Sequence, residues 1–264
     1  MNDDVRAVLD GSARWAVVCT DALEMLDMLP SRSVRAIVTD PPYCSGAFSE
    51  VGRRAAKGQG KRSEMLREGG WFTNDDMGTS GLVWLLRAVA GEARRVLVDG
   101  GSLVVFCDWR MIANLAPALE SAGLRHQNVL VWNKGSMGLG NGFRAQHEIA
   151  LHFTRGGFEA FAADTGNVLT VPRVARDEAV HHTEKPLDLM RSILRVVSGE
   201  GEVVVDPFAG SGATLVAALS LGMRAVGSEL DADNARKATA RCEAVVDGRD
   251  WRKPEQTSLF GGSR

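Results

Sequence analysis

Residues 34–43 read VRAIVTDPPY, an apolar, β-branched run that stops in a carboxylate, two prolines and the only tyrosine of the chain. The run predicts a buried strand whose end points out of a sheet. Two prolines fix φ at successive positions and remove two N–H donors, so the local carbonyls are stiff and free to accept. Asp40 and the Pro41 carbonyl can each accept one N–H of an exocyclic amino group, while Tyr43 stacks on a planar base. The alternative is an ordinary strand-to-loop turn.

A second strand-turn-helix pattern occupies residues 202–214, EVVVDPFAGSGAT. Gly210 and Gly212 would let the backbone come close to a ligand, and a helix starting near Ala213 would point at it. The next predicted strand leads into Glu229, 23 residues after Asp206, where a ribose diol would be hydrogen-bonded. The third glycine of the dinucleotide fingerprint is missing, and carboxylates flank the turn. The pattern therefore disfavours a pyrophosphate and favours a nucleoside ligand with a positive centre.

The bulk composition predicts one large α/β domain, because the chain has 264 residues, 45% of them hydrophobic and 24% charged. The four cysteines form no C-x-x-C pair, and the adjacent His181 and His182 have no evident third ligand, so no metal is predicted. No signal peptide and no run of about 18 apolar residues is seen, so we expect a cytoplasmic protein without a membrane partner. With a net charge of −2, any nucleic-acid surface must be a local basic patch.

Strand and helix patterns alternate along most of the chain. Besides the two motif strands, strands are predicted at 15–19, 102–107, 128–132, 148–153 and 225–228, and helices at 22–29, 82–97, 111–122 and 187–197. A glycine-rich loop at 135–142 joins two of the strands, which predicts a hairpin at one end of the sheet. Asp21 precedes the first of these helices and is predicted to cap it or to contact a ligand.

Two stretches, residues 44–80 and 155–180, lack clear periodicity. Between residues 53 and 67 the first of them carries a single acid, Glu64. Its basic side chains are Arg53, Arg54, Lys57, Lys61, Arg62 and Arg67. Beside the Asp-Pro-Pro-Tyr turn, such a loop is where a phosphate backbone would be gripped. The alternative is a solvated surface loop.

The two motifs together, DPPY at 40–43 and DPFAGSG at 206–212, resemble the S-adenosylmethionine-dependent amino methyltransferases of DNA, which modify adenine N6 or cytosine N4. The catalytic motif precedes the cofactor motif, as in the β group of that family. Further matches are Trp132-Asn133-Lys134 with His147-Glu148, and Thr183-Glu184-Lys185-Pro186. The resemblance implies a doubly wound, mostly parallel seven-stranded methyltransferase sheet with a terminal antiparallel hairpin. Ligands of an open sheet bind at the carboxyl ends of the strands where the winding reverses, so we expect the strands that end at Asp40 and Asp206 to lie side by side there. It also implies one domain, 1–250, with a catalytic half at 14–154, a cofactor half at 181–247 and recognition segments at 44–80 and 155–180.

The same resemblance implies roles for individual residues. Lys185 and Thr183 would meet the methionine carboxylate of the cofactor, Glu229 its ribose and Asp21 its adenine. Asp206, Phe208, Gly210 and Gly212 would line the rest of that pocket. His182 stands where the family often has proline, which leaves its contacts undefined.

The implied reaction is methyl transfer to the amino group of a base in double-stranded DNA, with Asp40, Pro41, Pro42 and Tyr43 as the catalytic turn. Because a paired base hides its amino nitrogen, the nucleotide must be flipped out and stacked on Tyr43. Adenine N6 is the first choice, because Asp heads the motif in the adenine enzymes, whereas Ser is commoner in the cytosine N4 group. A cytosine N4 enzyme, a protein or RNA methyltransferase, and a catalytically silent DNA-binding module are the alternatives.

The last residues, 251–264, begin near a proline break and are predicted to form a flexible tail. Gln256, Leu259 and Phe260 resemble the short peptide that bacterial replication and repair proteins insert into the sliding clamp. Two adjacent large apolar side chains on such a tail favour a partner that receives them. The alternative is that they fold back on the protein itself or on a dimer partner, and members of the β group often form homodimers.

Overall fold

The computed structural model describes residues 2–43, 78–138, 141–173 and 185–250. The basic residues Arg53, Arg54, Lys57, Lys61 and Arg62 lie outside these ranges, as do Thr183, His182 and the tail with Gln256, Leu259 and Phe260. The predictions for these residues therefore stay predictions.

The described part of the chain forms one mixed sheet of eight strands. In chain order these are β1 (Trp15–Val18), β2 (Val34–Thr39), β3 (Leu97–Cys107), β4 (Arg125–Asn133), β5 (His147–Thr154), β6 (Val168–Thr170), β7 (Val203–Asp206) and β8 (Arg224–Ser228). Their spatial order is β1-β8-β7-β2-β3-β5-β4-β6. The five strands from β1 to β3 are parallel, β5 is antiparallel to both β3 and β4, and β6 is parallel to β4. The predicted doubly wound sheet with a terminal hairpin is confirmed.

Helices cover both faces of the sheet. They are α1 (Asp3–Asp10), α2 (Ala22–Met28), α3 (Thr79–Val96), α4 (Ile112–Glu120), α5 (Leu187–Val197), α6 (Ala213–Ser220) and α7 (Ala232–Val246), with a 3-10 turn at Trp109–Met111. The apolar side chains of α1 to α4 form one buried cluster with one face of the sheet, and those of α5 to α7 form another on the opposite face. Strands buried on both faces explain why β2, β3 and β7 read as continuous apolar runs.

Two elements were not predicted. Helix α1 is short and buries only Val5 and Val8, so its apolar pattern is weak, although Asn2 caps it by accepting from the N–H of Asp4 at 2.8 Å. Strand β6 makes the sheet eight-stranded instead of seven-stranded and lies within the segment 155–180, which was predicted to be irregular. Only three residues long, it depends on pairing with β4 and on the indole N–H of Trp132, which donates to the carbonyl of Val171 at 2.8 Å.

Strand β3 begins at Leu97, earlier than the strand predicted at 102–107. Leu97 pairs with Val34 and Ser102 pairs with Ala36, so the residues between them form a bulge in β3. The N–H of Gly100 donates to the carbonyl of Arg155 at 2.8 Å, which extends the sheet through the glycines. At Gly101 an added Cβ would lie 2.9 Å from the carbonyl oxygen of Val98, so a side chain does not fit there.

The two motif strands lie next to each other, as predicted. Ala36 pairs with Val204 and Ile37 with Val205 in parallel register. The carboxyl ends of β2 and β7 therefore meet at one edge of the sheet, where the winding reverses and open α/β sheets bind their ligands. The end of β4 and the start of β5 reach the same edge, because Asn133 pairs with His147. Among the described residues, no helix combines the length and hydropathy needed to span a bilayer.

A buried histidine on β5 carries a pH-dependent part of the stability. His152 is 5% exposed, its Nε2 lies 3.0 Å from the Ser102 hydroxyl, and its ring packs edge-on against Phe158. Burial, together with the nearby His126, lowers the pKa of His152 to about 4 from the usual 6.5. The histidine therefore stays neutral in the folded protein over a range where it is protonated in the unfolded chain.

We expect this neutral histidine to make the protein less stable as the pH falls. A folded pKa below the unfolded one gives a contribution that is fully present above pH 6.5 and is lost as the pH decreases toward 4. The lost free energy of unfolding should be roughly 3 kcal/mol. His152→Gln cannot titrate, so urea unfolding at several pH values should show a flatter dependence than in the wild-type protein. Equal slopes for wild type and His152→Gln would contradict the assignment.

Candidate active site

Asp206 joins the ends of β7 and β2. Its carboxylate is 2% exposed and accepts from the Thr39 hydroxyl at 2.6 Å and from the N–H of Phe208 at 3.1 Å. Burial raises the pKa of Asp206 to about 6, although hydrogen bonds from Thr214, Thr39 and Phe208 oppose the shift. One carboxylate thereby fixes both strand ends and the start of α6. Phe208 itself is half-buried in the turn that follows.

Beside this contact lies an array of four alternating charges, Asp40, Lys185, Glu148 and Lys134, which we call the charge chain. The Lys185 ammonium contacts the Asp40 carboxylate at Oδ2 and the Glu148 carboxylate at Oε2, the latter at 3.1 Å. The Lys134 ammonium contacts the other oxygen of Glu148. Lys185 is only 6% exposed and also lies 5.3 Å from the ring centroid of Tyr43. The charge chain thus links the catalytic turn, the segment before α5 and the hairpin.

The two central members of the charge chain are held in their ionised forms. Burial alone would lower the pKa of Lys185, but the carboxylates of Asp40 and Glu148 outweigh it and raise that pKa above its usual value. Burial would likewise raise the pKa of Glu148, but Lys185 and Lys134 lower it. Each charge thus offsets the free-energy cost of burying its neighbour.

Asp40 uses only one of its two carboxylate oxygens in these contacts. Oδ2 accepts from Lys185, while Oδ1 is buried and accepts no hydrogen bond within 3.5 Å from the residues that the structure describes, although the Tyr43 hydroxyl lies near the carboxylate. A buried acceptor without a donor costs free energy, so Oδ1 is available to an N–H of a ligand. The next residue, Pro41, contributes a carbonyl but no N–H. The end of β2 therefore presents two acceptors, the Asp40 carboxylate and the Pro41 carbonyl.

Tyr43 closes the other side of the turn. Its hydroxyl donates to Oε2 of Glu148 at 3.4 Å, and burial, followed by the charges of Asp40 and Glu148, raises its pKa well above the usual value. The tyrosine is therefore a neutral ring rather than a base. Pro41, Pro42 and Tyr43 line a narrow apolar crevice together with residues of α3 and the end of β3, among them Leu86 and Phe106.

The predicted cofactor turn is built around Glu229. One carboxylate oxygen accepts from the N–H of Gly210 at 2.9 Å and the other from the N–H of Asp231 at 2.8 Å. Each oxygen keeps a further lone pair, so a ribose diol could still be bound. Gly210 has φ of +52° and an added Cβ there would meet nothing within 4 Å, which leaves space for a ligand beside the turn.

Gly212 and Gly227 are required by close packing, whereas Gly210 borders open space. Gly212 has φ of +88°, and an added Cβ would lie 3.0 Å from the Cβ of Ala238, so packing of α7 already requires it. Gly227 on β8, which sequence reasoning missed, would place a Cβ 2.6 Å from Leu215. The close helix-to-strand approach that the third glycine of a dinucleotide fingerprint normally allows is thus provided from the neighbouring strand.

Asp21 caps α2, because its carboxylate accepts from the N–H of Leu23 at 2.8 Å. The N–H of Glu229 donates to the carbonyl of Val18 at 3.1 Å, so β1 ends beside the cofactor turn and Asp21 follows at the same edge. The capping alternative is confirmed, and the contact with adenine stays a prediction. Among the described residues no cluster of three or more His, Cys, Asp and Glu side chains could hold a metal ion.

The contact of Lys185 with Asp40 was not predicted. The two residues are 145 positions apart, and Lys185 was assigned to the cofactor by its neighbours in sequence. Lys134 and Glu148 had been noted only as parts of the hairpin match. Their position in the sequence could have indicated a role in the site. Both residues stand where a strand meets the hairpin loop, at the edge of the sheet that carries Asp40.

The comparison with known proteins agrees with this arrangement. Residues 34–240 match the N6/N4 methyltransferase family, described as DNA methylase. The candidate methylase YubD of Escherichia coli K12 is 28% identical over 242 residues, which cover 89% of this chain and 96% of YubD.

Two solved structures share the fold. TTHA0409 of Thermus thermophilus, a candidate DNA modification methylase, is 25% identical with a TM-score of 0.64, and the match covers 89% of this chain and 97% of that one. The cytosine-N4-specific PvuII DNA methyltransferase gives a TM-score of 0.66 at 16% identity, with 92% and 94% covered.

The chain therefore belongs to the DNA methylase family that comprises N6 and N4 amino methyltransferases. This confirms the resemblance found in the sequence, and with it S-adenosylmethionine as the cofactor.

Proposed function

We propose that the protein transfers the methyl group of S-adenosylmethionine to the exocyclic amino nitrogen of a base flipped out of double-stranded DNA, with adenine N6 as the first choice. The observation that carries the proposal is the buried, unpartnered Oδ1 of Asp40 beside the Pro41 carbonyl. These two acceptors match the two N–H bonds of an amino group. Asp at the head of the motif supports adenine, as in the enzymes that it resembles.

The residues of the turn account for the reactivity of a poor nucleophile. An amino nitrogen on a base is unreactive because its lone pair is delocalised into the ring. With one N–H held by Asp40 and the other by the Pro41 carbonyl, that lone pair is directed out of the plane. S-adenosylmethionine supplies an electrophilic methyl group on a sulfonium centre. The new N–C bond would form as the methyl–sulfur bond breaks, with its electron pair left on the sulfur of S-adenosylhomocysteine. The nitrogen would give up one proton, and the Asp40 carboxylate is the acceptor already hydrogen-bonded to it.

The cofactor would be held by the turn between β7 and α6. The open space beside Gly210 and the remaining lone pairs of Glu229 fit the ribose and the adjoining chain of a nucleoside. Asp21, Asp206, Phe208 and Gly212 surround the same edge of the sheet, and Thr183 is assigned there from sequence. The carboxylates near this turn also suit a ligand that carries a positive charge.

Cytosine N4 methylation is the second candidate. Asp40 and the Pro41 carbonyl fit an amino group on either base equally well, so the catalytic turn alone does not choose between them. The remaining proposals rest on the sequence: a phosphate clamp formed by Arg53, Arg54, Lys57, Lys61 and Arg62, a homodimer, a sliding-clamp contact through Gln256, Leu259 and Phe260, and a cytoplasmic location.

Replacing Asp40 by Ala should abolish methyl transfer while leaving cofactor binding intact. One lost charge-assisted hydrogen bond is worth ~1.5–3 kcal/mol, so the rate should fall by at least about tenfold. The measurement is mass spectrometry of nucleosides from methyl-free DNA treated with the purified protein, which also identifies the product as N6-methyladenine or N4-methylcytosine.

Calorimetry with S-adenosylhomocysteine supplies the control. Asp40→Ala should bind it about as well as wild type, whereas Glu229→Gln should bind it more weakly. A variant Asp40→Ala that keeps more than about a tenth of the wild-type rate would remove Asp40 from the proposed role. If N4-methylcytosine is the only product, the target base is cytosine and not adenine.

A further inference from the structure

The contacts of Lys185 lie on the side of the site that is proposed to receive the base. Two of its three N–H donors are directed at Asp40 and Glu148, and its ammonium lies 5.3 Å from the ring centroid of Tyr43 and 5.0 Å from that of Phe106. Tyr43 belongs to the turn that is proposed to hold the base. All four contacts therefore belong to the catalytic turn and to the strands β3 and β5 beside it, and none belongs to the turn around Gly210.

We propose that Lys185 is a positioning residue that fixes the Asp40 carboxylate for transfer, rather than an anchor for the methionine carboxylate of the cofactor. The inference rests on the proposed function. By holding Oδ2, Lys185 fixes the orientation of the Asp40 carboxylate and leaves Oδ1 free to accept from the amino group.

Glu148 and Lys134 have a supporting role in this arrangement. Without Lys185 the carboxylates of Asp40 and Glu148 would face each other across a buried space with no cation between them. Like charges in such a site favour protonation of one partner and a changed orientation of the other. Glu148 holds Lys185 from the other side and is itself held by Lys134. Removing the charge of Glu148 should therefore disturb the orientation of the Asp40 carboxylate indirectly, through Lys185.

The variant Lys185→Met separates the two roles. If Lys185 positions Asp40, the single-turnover rate of methyl transfer to DNA should fall by about a hundredfold, while the dissociation constant of S-adenosylhomocysteine stays within about threefold of wild type. If it anchors the cofactor instead, S-adenosylhomocysteine should bind at least about tenfold more weakly, while 5′-methylthioadenosine, which lacks the methionine carboxylate, should bind as in wild type. That second pattern would overturn the inference.

A matched variant, Glu148→Gln, keeps the size of the side chain and removes its charge. It should lower the single-turnover rate by about tenfold or more without changing S-adenosylhomocysteine affinity, and it decides the question should Lys185→Met not fold. A wild-type rate in Glu148→Gln would overturn the inference. Absence of methyl transfer by the wild-type protein would instead contradict the proposed function, so the two failures are distinguishable.

A second inference rests on a different observation, the exposed side chains of the hairpin loop between β4 and β5. Phe143 is fully exposed and Met137 is 59% exposed. Two hydrogen bonds join described residues on the two sides of the loop: the N–H of Gly138 donates to the carbonyl of Ala145 at 2.8 Å, and the Arg144 guanidinium donates to the carbonyl of Gly138 at 2.7 Å. Large apolar side chains that stay exposed beside a functional site favour contact with a partner.

The position of the loop identifies that partner as the DNA duplex. Lys134 and Glu148, at the two ends of the loop, belong to the charge chain, so the loop stands beside the turn that is proposed to receive the base. A flipped nucleotide leaves a gap in the base stack, and proteins fill such gaps with apolar wedges such as Phe or Met. The geometry points to Phe143 as the side chain that enters the gap, again on the basis of the proposed function.

Rescue by a destabilised base pair tests this role. On a duplex that the wild-type protein methylates, Phe143→Ala should lower kcat/KM by about tenfold, and an abasic site opposite the target base should restore it to within about threefold of wild type, because flipping then costs less. Trp84→Ala, which removes an exposed aromatic ring from α3, should have no effect on either substrate. Wild-type kcat/KM for Phe143→Ala, or an equal defect on both duplexes, would overturn the wedge. No transfer by the wild-type protein to either duplex would contradict the proposed function.

Discussion

The parallel pairing of β2 with β7 is the constraint on which the site depends. It brings together two strand ends that are 167 residues apart in sequence and locks them with the buried hydrogen bond from Thr39 to Asp206. In the proposed function, one strand delivers the acceptors for the amino group and the other delivers the turn for the cofactor. Methyl transfer needs donor and acceptor in contact along one line, so a shift of either strand would separate them. The motif order along the chain is irrelevant to the chemistry as long as this adjacency is kept.

We attribute the charge chain to the proposed function rather than to stability. A buried ion pair seldom stabilises a fold more than apolar residues of the same size would, because both charges must be desolvated. Here the ion pair with Lys185 orients the Asp40 carboxylate at the end of β2 through Oδ2 and leaves Oδ1 free. The hairpin, which forms no part of either sequence motif, supplies Glu148 and Lys134 to this arrangement. In the proposed function, the antiparallel end of the sheet is thereby part of the active site.

Sequence patterns predicted the parts of this structure that are determined locally. The strands of both motifs, the helix from Leu187 to Val197 and the adjacency of β2 and β7 follow from apolar periodicity and from the rule that ligands bind where the winding reverses. Strand β6 was missed because three residues carry no period of their own and depend on β4 for their pairing. The partner of Lys185 was missed because charge pairing between distant segments is decided by the tertiary fold. Gly212 was interpreted as a ligand position, although its packing against Ala238 already requires a glycine.

The most direct test of the account is a crystal structure of the protein with S-adenosylhomocysteine and a duplex that it methylates. The account predicts a flipped base whose amino nitrogen lies within about 3.2 Å of both Oδ1 of Asp40 and the Pro41 carbonyl, with the Lys185 ammonium still bound to Oδ2. A base whose amino group meets neither acceptor, with Lys185 bound to the carboxylate of S-adenosylhomocysteine, would contradict it.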